Sequence, residues 1–177
     1  MIMRPAIFLD RDNTLTFDEG YCHKVEDFAW MPGAVEALRL FHKAGLPVFI
    51  VTNQSGIARG IFDKQDMQAF NDHLCAQAEK EGAFIQDIAF CPHHPDAADE
   101  EMRHCTCRKP DIGLFTSLAA KWQIDLHRSV MIGDRDTDIM AGEKAGCHAY
   151  LYDKSSSLAE LAKQILDQHF TDSSGSL

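Results

Sequence analysis

Two carboxylates spaced two residues apart give the strongest chemical signal in the sequence. Asp10 and Asp12 stand in the run Asp10-Arg11-Asp12-Asn13-Thr14, directly after a short apolar segment. Carboxylates at the carboxyl end of a strand lie where open α/β sheets bind their ligands. Mg²⁺ is the hard ion that combines a few carboxylates with water and phosphate oxygens. The pattern predicts a metal-dependent phosphate site, although an acidic surface turn explains the motif equally well when it is taken alone.

Three later motifs could complete such a site. The stretch from Thr52 to Ser55 also follows an apolar segment, and its hydroxyls, amides and free backbone N–H groups would form an anion cradle. Asp134 is placed to complete the ligand set of the cation, whereas Asp138 would orient a water or a neighbour. Arg108 and Lys109 are adjacent cations able to neutralise a phosphate. Taken singly, these motifs also fit a polar turn, a helix cap and an exposed basic pair.

Two short segments carry cysteine and histidine at metal-ligand spacing. Cys91-Pro92-His93 and Cys105-Thr106-Cys107 each place two ligands at i and i+2, and such side chains point the same way in an extended segment. Three thiolates and one imidazole would form a closed tetrahedral zinc site of the structural type. A disulfide is the alternative, disfavoured in a reducing compartment. His94 and His104 are competing ligands that the spacing alone does not exclude.

The elements that must position these residues alternate along the chain. Short β-branched runs predict strands over Ala6 to Leu9, Pro47 to Val51, Ile85 to Phe90, Ser129 to Ile132 and Ala149 to Tyr152. Longer periodic segments predict helices after Pro32-Gly33, from Asp63 to Gly82, from Gly113 to Gln123, from Thr137 to Ala145 and from Ser157 to His169. This alternation predicts an α/β fold, a three-layer Rossmann-like parallel sheet with helices on both faces.

Composition narrows the class of protein. The 177 residues include 17 Lys and Arg against 27 Asp and Glu, a net charge of −10 that disfavours binding to nucleic acid. The chain lacks an apolar run long enough for a membrane helix and begins without a signal-peptide pattern, so we expect a cytoplasmic protein with no membrane partner. We predict a single domain over 1–170, monomeric and without a separate cap domain, and a disordered tail over 171–177.

The four motifs in this order resemble the haloacid dehalogenase (HAD-like) superfamily of aspartate-nucleophile phosphotransferases. The resemblance implies that Asp10 is the nucleophile and that Asp12 is the general acid and then the general base. It implies that Thr52 binds the phosphoryl group and Lys109 balances its charge, with Mg²⁺ held by Asp10, Asp134 and the backbone carbonyl of Asp12. Asn13 stands where the family usually has glycine, and asparagine tolerates a left-handed backbone better than most residues.

Four stretches, 20–23, 52–60, 91–95 and 107–110, resemble one zinc-loop branch of the superfamily. That branch contains the heptose bisphosphate phosphatases and the histidinol-phosphate phosphatases, and residues 56–60 favour the former. The resemblance implies hydrolysis of the 7-phosphate of a heptose 1,7-bisphosphate on the way to nucleotide-activated heptose. A zinc-stabilised binding module with a vestigial acidic cluster is the non-enzymatic alternative.

The resemblance also assigns individual residues to the metal and substrate sites. It selects His93 as the fourth zinc ligand, in a loop over 91–107 that would place the basic pair over the active site. The implied zinc ligands are Cys91, His93, Cys105 and Cys107. The implied substrate contacts are Asp18, Glu19, Gly20, Tyr21, Thr52, Asn53, Gln54, Ser55, Arg108, Lys109 and Arg135. Arg135 departs from the family, which often has lysine at this position.

Overall fold

Five parallel strands form one sheet at the centre of the molecule, for which a computed structural model describes residues 3–170. The strands are β1 (Ile7–Leu9), β2 (Val48–Asn53), β3 (Asp87–Cys91), β4 (Val130–Gly133) and β5 (His148–Leu151). Their order in the sheet is β3-β2-β1-β4-β5. The chain therefore winds outward from β1 in one direction and then in the other, which leaves a crevice at the carboxyl ends of β1 and β4.

Four helices connect successive strands, and a fifth follows the last strand. They are α1 (Ala34–Lys43), α2 (Lys64–Lys80), α3 (Gly113–Trp122), α4 (Asp136–Ala145) and α5 (Leu158–His169), with 3₁₀ turns at Val25–Asp27, Glu100–Met102 and Leu126–Arg128. Asp63 caps α2 as the sequence predicts, because its side chain accepts hydrogen bonds from the N–H groups of Gln65 and Asp66. No helix of the described chain combines the length and the apolar character needed to cross a bilayer.

Alternate residues of the central strand pack into two separate cores. Ile7 and Leu9 belong to a core with residues of α1, α2 and α5, whereas Phe8 belongs to a second core with residues of α3 and α4. Since neighbouring side chains of a strand point to opposite faces, helices cover both sides of the sheet. The three-layer α/β architecture predicted from the sequence is confirmed.

The end of β2 differs from the sequence-based prediction. The apolar run stops at Val51, but the strand continues through Thr52 to Asn53, which pairs with Cys91 of β3. Backbone pairing with β3 keeps these polar residues in the sheet, so the segment predicted to form an anion cradle begins on the strand itself. Cys91 is likewise the last residue of β3, whereas the sequence predicted that the strand ends at Phe90. The predicted disordered tail, 171–177, lies outside the described residues.

Candidate active site

A cavity of about 430 Å³ opens at the carboxyl ends of β1, β2 and β4. It is lined by most of the predicted site residues: Asp10, Asp12, Asp18, Gly20, Tyr21, Asn53, Gln54, Ser55, Arg108, Lys109 and Arg135. Thr52, Glu19 and Asp134 are not part of the lining. The cavity wall also includes Gly56, Asp136, Thr137 and Asp138. Residues from distant parts of the sequence therefore meet where open α/β sheets bind ligands.

Lys109 holds the centre of this cavity together. Its Nζ donates to Asp10 Oδ1 at 2.8 Å, to the Val51 carbonyl at 2.7 Å and to Asp138 Oδ1 at 2.6 Å. Lys109 is 3% exposed, so these three acceptors replace the hydrogen bonds that its ammonium group would make with water. The other carboxylate oxygen of Asp138, Oδ2, accepts the backbone N–H of Arg135 at 3.1 Å. Asp138 therefore orients a neighbour, Lys109, which is one of the two roles that the sequence suggested for it.

Negative charge exceeds positive charge around Asp10. The pKa of Asp10 is raised to about 7, because burial and the charges of Asp138 and Asp12, which raise it, together outweigh Lys109, which lowers it. Burial alone would lower the pKa of Lys109, but Asp10 and Asp138 outweigh that effect and raise it. The single ammonium group of Lys109 thus lies among several carboxylates that are buried from water. Such an excess of buried negative charge favours the binding of an additional cation.

Asp134 supplies an atom that such a cation would satisfy. Its Oδ1 is buried without a hydrogen-bond partner among the described residues, and its Oδ2 lies 3.2 Å from Lys154 Nζ. Carboxylate oxygens of Asp10, Asp134 and Asp138 lie within 4.8 Å of one another. Because both Asp138 oxygens already accept protein hydrogen bonds, Asp10 and Asp134 are the carboxylates that best fit Mg²⁺.

Asp12 is fixed through both of its carboxylate oxygens. Oδ1 accepts from Arg11 Nε at 2.8 Å, and Oδ2 accepts from Gln54 Nε2 at 3.0 Å. Asn13, next in the chain, has a left-handed backbone with φ 59°, so the expectation that asparagine tolerates this turn is confirmed. The Asn13 side chain also exchanges two hydrogen bonds with the backbone of Asp18, which ties the turn to the loop over residues 18–23.

Thr52 and Asn53 are engaged with the protein itself. The Thr52 hydroxyl accepts from Gln54 Nε2 at 2.8 Å and is almost fully buried. Asn53 Nδ2 donates to the Lys109 carbonyl at 3.1 Å, and Asn53 Oδ1 accepts the Lys109 N–H at 3.0 Å. This paired contact fastens the segment that carries Lys109 to the end of β2.

The rim of the cavity joins two loops through an aromatic contact. The rings of His23 and Phe62 stack with centroids 4.8 Å apart and an angle of 17° between their planes. A Cβ at Gly56 would overlap the Phe62 ring, so glycine is required there for the loops to meet. Phe62 was not identified from the sequence because a single aromatic residue beside a glycine-containing loop has no distinctive spacing.

The four predicted zinc ligands come together beside the site. Ligand atoms of Cys91, His93, Cys105 and Cys107 lie within 4.8 Å of one another. His94 is turned away, since its Nε2 lies 3.0 Å from Arg59 and its Nδ1 accepts the Asp96 N–H.

The cysteine sulfurs do not form a disulfide. Cys91 Sγ and Cys105 Sγ are 3.6 Å apart, far longer than a disulfide bond of about 2.05 Å. The loop also contacts the basic pair, because Arg108 donates to the His93 carbonyl at 3.2 Å. The donor set and its closed arrangement fit structural Zn²⁺.

Known proteins resemble this chain in sequence and in fold. The HAD-hydrolase-like family model matches residues 106–173. D-glycero-beta-D-manno-heptose-1,7-bisphosphate 7-phosphatase from Rhodopseudomonas palustris is 38% identical over 164 residues, which cover 92% of this chain and 91% of the relative. The alpha-anomer counterpart from Photorhabdus laumondii is 38% identical over 140 residues, covering 78% of this chain and 76% of the relative.

A crystal structure from B. bronchiseptica shares the fold. It is described as D,D-heptose 1,7-bisphosphate phosphatase complexed with magnesium and phosphate. It superposes with a TM-score of 0.80 at 28% identity, over 93% of this chain and 99% of that one. On the evidence of the shared fold, the assembled aspartates and the extent of these matches, the chain belongs to the HAD-like hydrolases, in the family of the D-glycero-D-manno-heptose-1,7-bisphosphate 7-phosphatases.

Proposed function

We propose that this protein hydrolyses the 7-phosphate of D-glycero-β-D-manno-heptose 1,7-bisphosphate, yielding a precursor of the nucleotide-activated heptose used for lipopolysaccharide. One observation carries the chemistry: a buried oxygen of Asp134 has no hydrogen-bond partner among the described residues, and a carboxylate oxygen of Asp134 lies within 4.8 Å of one of Asp10, whose carboxylate accepts from Lys109. The name of the R. palustris relative, which matches 92% of the chain, supports the β anomer. The proposal also includes a single catalytic domain over 1–170 and a cytoplasmic, monomeric enzyme.

The reaction would take place in two displacements at phosphorus. A carboxylate oxygen of Asp10 attacks the 7-phosphoryl group, the bond from phosphorus to the sugar oxygen breaks, and Asp12 donates its proton to that oxygen. In the second displacement Asp12 takes a proton from a water molecule, whose oxygen attacks phosphorus. The bond from phosphorus to Asp10 then breaks, which releases phosphate and restores the Asp10 carboxylate.

Positive charge around Asp10 would stabilise both displacements. Lys109, already aimed at Asp10 by Asp138 and Val51, would bind a phosphoryl oxygen. Mg²⁺ held by Asp10, Asp134 and the Asp12 carbonyl would supply charge neutralisation and in-line orientation of the phosphoryl group. Thr52 would donate its hydroxyl proton to the same group, since that hydroxyl only accepts in its contact with Gln54.

The remaining cationic side chains of the cavity suit a second phosphate. Arg108 and Arg135 line the cavity, and Arg59 lies 3.0 Å from His94 on the adjoining loop. In a chain of net charge −10, this local concentration of guanidinium groups would offset the repulsion of a bisphosphate. The zinc loop would keep Arg108 in place, and residues 18–21 with 53–55 would contact the sugar.

A substrate comparison tests the proposal. Phosphate release would be measured with Mg²⁺ and with EDTA from the α and β anomers of the heptose bisphosphate and from histidinol phosphate, and kcat/KM would be compared. We expect Mg²⁺-dependent turnover with the β anomer preferred by at least about tenfold. Preference for the α anomer would correct the anomer, and preference for histidinol phosphate would move the enzyme to histidine biosynthesis. Turnover of none of them would refute the assignment and favour a binding module.

A further inference from the structure

We propose that Arg11 is a positioning residue for the proton-transferring carboxylate of Asp12. Arg11 is the largest fully buried side chain of the described residues, with no exposed surface. The inference rests on the proposed function, because it takes Asp12 as the general acid and base. It adds a residue whose side chain contacts Asp12 at the carboxylate, and not at the backbone carbonyl proposed to hold Mg²⁺, and which thereby determines where the proton is delivered.

The guanidinium group of Arg11 donates to four acceptors, and each of its three nitrogens has at least one of them. Nε donates to Asp12 Oδ1 at 2.8 Å, and Nη1 donates to Asn71 Oδ1 of α2 at 3.0 Å. Nη2 donates to the Cys22 carbonyl and to Gln54 Oε1, both at 3.1 Å. The group also lies over the Phe70 ring, 4.6 Å from its centroid.

This arrangement couples the proton donor to both loops that line the cavity. Cys22 belongs to the loop over 18–23, and Gln54 begins the loop after β2. Gln54 links Arg11 to Asp12 a second time, because its Oε1 accepts from Arg11 while its Nε2 donates to Asp12 Oδ2 at 3.0 Å. Arg11 at Oδ1 and Gln54 at Oδ2 thereby set the orientation of the Asp12 carboxylate, and α2 anchors the network through Asn71.

A lysine could not replace this network. Its ammonium group is a point charge on a flexible stem, whereas the planar fork of arginine directs five N–H groups in fixed directions. Burying a charge without satisfying its donors is costly, which is consistent with every nitrogen of Arg11 having an acceptor. A purely structural role would need the same contacts, so the test must separate positioning from stability.

Leaving-group dependence makes that separation. The sugar alkoxide needs a proton as the first bond breaks, whereas 4-nitrophenolate departs without one. The experiment compares steady-state kcat and KM on the heptose bisphosphate with the pre-steady-state burst of 4-nitrophenolate from 4-nitrophenyl phosphate. For Arg11→Lys we expect kcat on the heptose bisphosphate to fall about 100-fold. We expect KM and the burst rate to stay within about threefold of wild type, because substrate binding and Asp10 attack are unchanged.

Two further variants keep the test decisive. Asn71→Leu cuts the anchor but leaves Arg11 and Asp12 in place, and we expect a fall in kcat of about tenfold with the burst retained. If Arg11→Lys does not fold, the kinetics of Asn71→Leu alone test whether Arg11 positions Asp12. Ile165→Ala, in the core of α5 and away from the cavity, controls for a general loss of stability and should leave both rates near wild type.

The outcomes distinguish the inference from the function on which it rests. Equal slowing of the burst and of heptose turnover would show that Arg11 acts only on the fold, and a rise in KM with unchanged kcat would show that it acts on substrate binding; either result would overturn the inference. Unchanged kinetics in Asn71→Leu and Arg11→Lys would overturn the inference while the proposed function stands. If Asp12→Asn itself keeps full kcat on the heptose bisphosphate, the proton-transfer assignment fails and the role of Arg11 fails with it.

Discussion

Replacing Lys109 with methionine tests whether the buried ammonium group holds the site together. Asp10, Lys109 and Asp138 are 7%, 3% and 2% exposed, so water screens their interaction very little. Methionine has nearly the shape of the lysine stem but would leave two buried carboxylates without their shared cation. Breaking a buried ion pair by removing one partner costs about 3–5 kcal/mol. For a domain of this size that corresponds to a fall in Tm of about 6–20 °C.

Lys121→Met is the matched control for this experiment. Lys121 Nζ also lies 2.7 Å from a carboxylate, that of Asp87, but its side chain is 63% exposed. An exposed pair of this kind contributes about 0–1 kcal/mol, so we expect a Tm within about 4 °C of wild type. Both variants would be compared with wild type by calorimetry and chemical denaturation. The buffer would contain EDTA, because the chelator removes any contribution of bound metal to stability.

Activity provides a second readout for Lys109. Loss of a charge aimed at the phosphoryl group should lower kcat by about 100- to 1,000-fold, whereas Lys121→Met should turn over at the wild-type rate. If Lys109→Met melts at the wild-type temperature in EDTA, the ion pairs of Lys109 with Asp10 and Asp138 do not stabilise the fold. Near-normal kcat in the same variant would refute its electrostatic role.

Three further outcomes are expected. Gly133→Ala should lower kcat at least about tenfold, because the new Cβ would overlap the Asp138 carboxylate; normal kcat would contradict this steric account. Hydrogen bonds from Lys121 and Trp122 outweigh burial and lower the pKa of Asp87 below 3.8. Asp87 therefore stabilises the fold above that pH, and the Tm difference between wild type and Asp87→Asn should shrink as the pH falls through the lowered pKa; a constant difference from pH 7 to acid would refute it. Cys107→Ser should reduce bound zinc, measured by elemental analysis, from about one equivalent to well below it and lower Tm, whereas full zinc content would exclude Cys107 as a ligand.

Motif spacing was sufficient to predict the fold and the place of the acidic cluster, whereas the family resemblance supplied most of the residues that line the cavity. Asp10, Asn53 and Asp134 could be placed at one edge of the sheet because each follows an apolar run, and parallel strands end at the same edge. The end of β2 was harder to predict from the sequence, because Thr52 and Asn53 are polar and only their pairing with β3 keeps them in the strand. Hydrophobic pattern reports burial of side chains and carries little information on backbone pairing.

The contacts between distant residues were beyond the reach of the sequence. Asn53 pairs with the backbone of Lys109, and Asp138 pairs with the Lys109 side chain, but neither spacing follows from a helical or strand period. Arg11 was the largest omission. A charged residue between two aspartates is expected to be solvated, and the burial of Arg11 depends on acceptors from α2 and two loops.

Mass spectrometry of the rapidly quenched enzyme tests the central claim of an aspartate nucleophile most directly. During turnover of the heptose bisphosphate with Mg²⁺, we expect one acid-stabilised phosphoryl group on the peptide containing Asp10, removable by hydroxylamine as an acyl phosphate is. Asp12→Asn should accumulate this adduct if water attack is slowed, and Asp10→Asn should show neither adduct nor turnover. Turnover by Asp10→Asn at the wild-type rate, or a phosphoryl group found on another residue, would contradict the account.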